Sequence, residues 1–333
     1  MKKFLRLVVP ALLILTLLAG CGGQSGSGTS SAKERAWKAG DKAELILATG
    51  GTGGTYYPLG GGMAKLWADN IKGVNVTVQS TGASVANIRL LAQNKADLAL
   101  IQNDTADYGR NAMEAFKEKN EKYTEYAAVA ALYPEVVQIV VRADSNINSI
   151  TDLKGKKVVV GAAGSGTEIA SRQILTAYGL NYDKDITKLP LSFAEGATQF
   201  KDRQADALVM VTGVPAASLA DVQTVTNVRL VPIDYAKVSK NFKFYVKHTV
   251  KAGTYKGIEK DTDVVAVLAI LVARTDMNSD LVYQMTKNLF EKAGDIGHAK
   301  AKEFDVKKAA QGITIPFHPG AAKYLKEKGV NVK

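Results

Sequence analysis

Glu44-Leu45-Ile46-Leu47-Ala48-Thr49-Gly50-Gly51-Thr52-Gly53-Gly54-Thr55-Tyr56-Tyr57-Pro58 passes from a short apolar, β-prone run into a loop with four glycines. A helix-like stretch follows over residues 58–71. The same order returns later, where Lys156-Lys157-Val158-Val159-Val160 enters the glycine-rich segment 161–167 and a helix is predicted over 168–178. Each unit is followed by an Ala-Asp pair that opens a buried strand. These are Ala96-Asp97 before Leu98-Ala99-Leu100-Ile101-Gln102, and Ala205-Asp206 before Ala207-Leu208-Val209-Met210-Val211. Gly50 and Asp97 stand 47 residues apart, and Gly161 and Asp206 stand 45 apart. Strands alternating with helices predict an α/β fold of mostly parallel sheets flanked by helices. The recurrence predicts two lobes. Ligands of such sheets bind beyond the carboxyl ends of the strands, at helix N-termini. Two facing sets of loops therefore predict a site in the cleft between the lobes.

Residues 135–141 and 264–273 are apolar, flank the second half and read as strands crossing between the lobes. The expected division is 41–138 plus about 270–333 for lobe 1, and about 139–269 for lobe 2. Helices expected over 280–293 and 321–328 would pack back on lobe 1. In the former, Leu281, Val282, Met285, Leu289 and Phe290 recur at helical spacing and read as core.

The N-terminus carries a separate message. Lys2, Lys3 and Arg6 precede an apolar run over 7–18, and Leu18-Ala19-Gly20-Cys21 closes it. A basic start, a short apolar core and small residues at the end make a secretory signal peptide over 1–20. The run falls short of the about 20 apolar residues of a membrane-spanning helix. Leu-Ala-Gly-Cys resembles a bacterial lipobox, which makes Cys21 the expected lipidation site and first mature residue. Cys21 is the sole cysteine, which excludes an internal disulfide or a multi-cysteine metal site. The Gly/Ser-rich residues after it cannot bury a core, so 21–40 reads as a flexible tether. An extracytoplasmic, lipid-anchored protein is expected.

The formal charge is +11, of which the leader's Lys2, Lys3 and Arg6 supply three. The remaining lysines are scattered among glutamates and read as solvated helix faces rather than a nucleic-acid surface.

The loop 49–58 is the strongest candidate for chemistry. Its glycines offer backbone N–H groups, Thr52 and Thr55 add hydroxyls, and the positive end of a helix follows, which suits a carboxylate or phosphate. It is not a nucleotide loop. No Gly-Lys-Ser/Thr follows, and Tyr56 stands where a dinucleotide fingerprint needs its third glycine. Three further helix starts repeat the pattern: Thr81-Gly82-Ala83-Ser84, with Ser84 as N-cap, Gly164-Ser165-Gly166-Thr167-Glu168, and Thr212-Gly213-Val214-Pro215. Gln102, Asn103 and Asp104 should lie at a sheet's carboxyl edge. Tyr133-Pro134-Glu135, just before the presumed crossing strand, could line the cleft floor, with Tyr133 donating and Glu135 accepting from a ligand ammonium. Either a salt bridge at the hinge or a ligand contact would account for Glu135.

Catalysis and cofactors find little support. His248, His298 and His318 lie in polar or loop contexts far from the glycine-rich loops, and no Gly-x-Ser-x-Gly elbow is present. Ser165 leaves an exported hydrolase as one alternative, and a sensor or adhesive ectodomain as another. No metal-binding spacing occurs.

Ala-Thr-Gly-Gly-Thr-Gly-Gly-Thr-Tyr-Tyr-Pro-Leu-Gly at 48–60 resembles the opening of the TAXI family of TRAP transporter solute receptors. So do Ser-Thr-Gly-Ala-Ser-Val-Ala-Asn-Ile-Arg-Leu-Leu at 80–91, Leu-Tyr-Pro-Glu at 132–135, Gly-Ser-Gly-Thr-Glu at 164–168 and His-Pro-Gly-Ala at 318–321. The resemblance implies a type II periplasmic-binding-protein fold, a monomer whose two lobes close on ligand. It also implies an ion-driven TRAP membrane permease as partner, and a small carboxylate as solute, glutamate-like or a dicarboxylate or keto acid. The ligand contacts it implies are Gly54, Thr55, Tyr56, Ser84, Asn103, Tyr133, Thr167 and Glu168, with no single essential arginine. An ABC-type receptor of the same fold for an oxyanion or phosphonate is the alternative.

Overall fold

The computed structural model describes residues 37, 38 and 40–332. The predicted leader, Cys21 and most of the predicted tether lie outside the described residues. The described residues belong to one compact unit. The strands are β1 (Ala43–Ala48), β2 (Val74–Gln79), β3 (Leu98–Gln102), β4 (Tyr126–Arg142), β5 (Lys157–Val159), β6 (Thr187–Leu189), β7 (Ala207–Thr212), β8 (Val228–Leu230), β9 (Val246–Val250) and β10 (Thr262–Arg274). The helices are α1 (Tyr56–Asn70), α2 (Ser84–Ala92), α3 (Asn103–Asn111), α4 (Gly166–Ala177), α5 (Phe193–Lys201), α6 (Ala217–Val222), α7 (Tyr235–Ser239), α8 (Ser279–Glu291) and α9 (Pro319–Glu327).

The sheet order is β2-β1-β3-β10-β4-β7-β5-β6, with β8 beside β4 and β9 beside β10. β1 pairs parallel with β2 and β3, and β5 pairs parallel with β6 and β7. Each half therefore has one plan: its first strand is central, its second lies at the outer edge, and its third lies inward. The antiparallel pairings belong to the two long strands. β4 runs along β10 and then along β7, while β10 also pairs with β3 and β9. These two strands cross from one half to the other. The first crossing is longer than residues 135–141: it begins at Tyr126, and Tyr133-Pro134-Glu135 lies inside it.

The repeated Ala-Asp has a physical cause. Asp97 Oδ2 accepts from Ile46 N at 3.0 Å and Asp97 N donates to Ile46 O, locking β3 onto β1. Asp206 Oδ2 accepts from Lys157 N at 2.8 Å and Asp206 N donates to Lys157 O, locking β7 onto β5. The turns before them match as well. Asn94 and Arg203 both hold φ 58°, and the next N–H in each returns to the helix, Lys95 to Leu90 O and Gln204 to Gln199 O. This left-handed turn is a common way to end a helix.

Burial separates the halves. One apolar cluster gathers Val158, Val159, Ile174, Phe200 and Leu208. The first half has an apolar cluster on either face of its sheet, one joining α1 to α8 and α9, the other holding α2 and α3 against β3 and β10. Leu281, Val282, Met285 and Leu289 are buried as their spacing predicted. Among the described residues no helix is long and apolar enough to cross a membrane.

Gly60, Gly61 and Gly62 in α1 differ in function. A Cβ on Gly62 would stand 2.1 Å from Ile296 O, and one on Gly60 2.8 Å from Thr49 Cγ2, while Gly61 faces nothing within 4 Å. Gly61→Ala should therefore stabilise by about 0.5–1 kcal/mol through helix propensity. Gly62→Ala should destabilise by about 1–3 kcal/mol through overpacking. Urea midpoints of the two variants check this. Equal shifts would refute the packing argument.

Candidate functional site

Four helix N-termini converge between the halves: α1 and α2 from the first, α4 and α5 from the second. Gly50, Gly51, Gly54, Thr55 and Tyr56 line the cavity from the first loop, and Thr81, Gly82, Ala83 and Ser84 from the second. Ala162, Ser165, Gly166, Thr167, Ser192 and Phe193 face them, over a floor of Gln102, Glu135, Val211 and Thr212. The second-half helices are capped by their own serines: Ser165 Oγ accepts from Glu168 N, and Ser192 with Glu195 forms a capping box. No side chain caps α1 or α2. Their first-turn N–H groups are where an anion finds donors and a favourable dipole. Ala83 enters α2 at φ 70°, a strained geometry of the kind found at binding sites.

Glycine works here by leaving space. None of Gly50, Gly51, Gly53 and Gly54 has a positive φ among the described residues. A Cβ on Gly53 would stand 2.5 Å from Ser218 Oγ, one on Gly54 3.3 Å from Phe193, and one on Gly166 2.0 Å from Gln102 Oε1. The walls also bond to each other. Thr55 Oγ1 meets Thr212 Oγ1 at 3.0 Å, Ser218 Oγ donates to Gly53 O at 2.6 Å, and Ala86 N donates to Gly164 O at 3.2 Å. This is a closed arrangement. The cavity left between the walls is small, about 60 Å³, room for a few waters.

The electrostatics are unusual for an anion site. Among the described residues no lysine, arginine or histidine lines the cavity, and Glu135 is the one carboxylic acid on its wall. Tyr56 donates to Glu135 Oε2 at 2.8 Å, and Tyr133 donates to Oε1 at 3.4 Å. Burial pushes the Glu135 carboxyl up to about 8 against the opposing hydrogen bonds from Tyr56, Gln102 and Tyr133, so at neutral pH it holds a proton. Burial likewise raises Asp104, behind the floor, to about 7. Gln102 Oε1 and Asp104 Oδ2 are buried acceptors with no hydrogen-bond partner in the structure.

The structure brings Gly54, Thr55, Tyr56, Ser84, Glu135 and Thr167 together on the cavity wall. Tyr133 lies behind Glu135 and reaches it through its hydroxyl. The other three sit off the wall. Asn103 is spent on structure: its Nδ2 donates to Gly312 O at 2.8 Å and its Oδ1 accepts from Leu268 N at 2.9 Å. Glu168 accepts from Gly164 N at 3.0 Å and from Tyr182 Oη at 3.4 Å, holding its own loop. Gly213 packs against Lys300 and Thr55, each of which would meet an added Cβ at 2.9 Å. Ser84 is the first residue of α2 rather than its cap, and its Oγ accepts from Gln102 N at 3.1 Å. Ser192 and Phe193 were missed in the sequence, although Ser192-Phe193-Ala194-Glu195 carries the capping-box signature. His318, read as a loop residue, is buried and caps α9, with Nδ1 accepting from Gly320 N.

The NMT1-like family matches residues 47–329. Among solved structures, the alkanesulfonate-binding protein SsuA from Xanthomonas axonopodis pv. citri, bound to MOPS, is 18% identical. The match covers 86% of this chain and 84% of that one, with TM-score 0.51. A protein from Bordetella bronchiseptica RB50 is 16% identical over 86% of this chain and 82% of its own, with TM-score 0.50. The shared fold is the two-lobed type II fold of periplasmic binding proteins.

Proposed function

The chain belongs to the NMT1-like family, and on that premise we propose that it is an extracytoplasmic solute receptor that closes on a small anion and passes it to a membrane permease. One observation carries this reading: two uncapped helix N-termini face two capped ones across a cavity that no basic side chain lines among the described residues. Anion charge there is met by backbone N–H groups, hydroxyls and dipoles, with Glu135 kept neutral. The lobes are 41–138 with about 270–333, and about 139–269. Lipidation of Cys21 holds the receptor at the membrane.

The fold neighbour that binds alkanesulfonates supports an oxyanion, the cargo of the ABC-type alternative, ahead of the small carboxylate that the sequence resemblance implies. A second reading has its own observation. Gln102 Oε1 is a buried acceptor without a partner and Glu135 stands beside it on the floor. Both suit a ligand that carries an N–H or O–H donor as well as its acid, such as a glutamate-like molecule.

A thermal-shift screen of residues 33–333 against sulfonates, phosphonates, dicarboxylates, keto acids and amino acids separates these. A ligand at about 100 times its dissociation constant stabilises by about 2.7 kcal/mol, a shift of several degrees. A shift with simple sulfonates is the expected result for the oxyanion reading. A shift confined to amino acids favours the second. No shift with any anion would sink the receptor proposal.

A further inference from the structure

We propose that Gln173 is the pin of a clasp that holds the two halves closed from outside the ligand cavity. Gln173 lies on α4, in the second half, and is 1% exposed. Its Nε2 donates to Tyr108 Oη at 3.0 Å and to Glu114 Oε1 at 3.0 Å. Both acceptors belong to the first half, Tyr108 on α3 and Glu114 in the 3-10 turn that follows it. The Gln173 Oε1 accepts from the Tyr245 hydroxyl at 2.9 Å, from the second half. That bond fixes the amide so that both of its protons point across the boundary. One goes to a carboxylate, the stronger kind of acceptor.

The surroundings close in the same direction. Arg172 approaches Glu114 at 3.9 Å, and Tyr108 meets Phe244 edge to face with centroids 5.8 Å apart. Ile169 of α4 packs into the first half's apolar cluster beside Ile88 and Ile101. None of Tyr108, Glu114, Gln173 and Tyr245 lines the cavity.

α4 links clasp to cavity. Its N-terminus supplies the cavity residues Gly166 and Thr167, and Gln173 follows about two turns along the same rod. A movement of α4 that opens the cavity must therefore break the clasp. Gln173 is thus a positioning residue: it sets how far the closed form is favoured and touches no ligand.

Small-angle scattering of residues 33–333 with no added solute tests this. Gln173→Leu deletes the amide. Gln173→Glu keeps its shape, removes both protons and sets a carboxylate against Glu114. Both variants should raise the radius of gyration by about 1 Å from a value near 19 Å, with unchanged circular dichroism. They should also weaken binding of any anion found in the screen about tenfold. If Gln173→Leu fails to fold, Gln173→Glu and Tyr108→Phe, which loses one acceptor and keeps the ring contact, carry the test. Folded variants that scatter like the unaltered protein would overturn the clasp.

Discussion

Glu135→Gln should stabilise the protein by several kcal/mol at pH 8 and leave it nearly unchanged at pH 4. In the unfolded chain this carboxyl ionises near its ordinary 4.5; in the folded protein burial holds the proton to about 8. Between those values the folded state binds more protons than the unfolded state, so unfolding free energy falls as pH rises. The group's contribution is fully present below about pH 4.5 and lost once pH passes about 8. That span corresponds to roughly 5 kcal/mol as an upper figure. A glutamine keeps the length and an acceptor for Tyr56 but has no proton to lose, so the slope should flatten. Asp104, raised to about 7 by the same burial, remains in the variant and leaves a smaller loss between about 3.8 and 7. Urea midpoints at pH 4, 6 and 8 for both proteins measure this. A variant that loses stability with pH as steeply as the original would show that Glu135 does not titrate in the buried state described.

The repeat was legible because its signals are local. Strand, glycine loop, helix and Ala-Asp each follow from a few adjacent residues, and the two aspartates make the same bonds to β1 and β5. The first stretch of β4 was not legible. Residues 126–134 include Ala127, Ala128, Ala130 and Ala131, poor strand formers, and Pro134, which normally argues against an inner strand. Tertiary pairing with β10 overrides both, with irregularities in register at Leu132 and Val129. The candidate contacts at Asn103, Glu168 and Gly213 stand where the motifs put them in the chain, at sheet edges and helix starts. Sequence position does not say whether a side chain faces the cavity or its own scaffold. Asn103 is drawn to Gly312 O and Leu268 N, partners 209 and 165 residues away. Gln173 was invisible for the same reason: its partners Tyr108, Glu114 and Tyr245 are distant in sequence and share no pattern.

Gly166→Ala should weaken binding of any cavity ligand at least a hundredfold, about 2.7 kcal/mol, while lowering the stability of the protein without ligand by no more than the free energy that holds its halves closed. The added Cβ would stand 2.0 Å from Gln102 Oε1 and 3.1 Å from Ser84 Oγ, atoms of the opposite half. The end of a glutamine can often swing aside, but Gln102 is 2% exposed, and its amide is committed to Glu135. The clash exists only when the halves meet, because in an opened cleft the methyl group points into water. The substitution therefore acts on closure and spares folding, the reverse of Gly62→Ala, whose clash with Ile296 O lies inside one half. Gly61→Ala makes the same chemical change where nothing lies within 4 Å and should keep full affinity. Titration calorimetry with one ligand from the screen, run on Gly166→Ala and Gly61→Ala side by side, decides the matter. Unaltered affinity in Gly166→Ala would mean that ligand is held with the halves apart, so that the closed cavity is not where binding energy is gained. A hundredfold loss with a melting point lowered far less than by Gly62→Ala would tie affinity to the contact between α4 and the Gln102 floor.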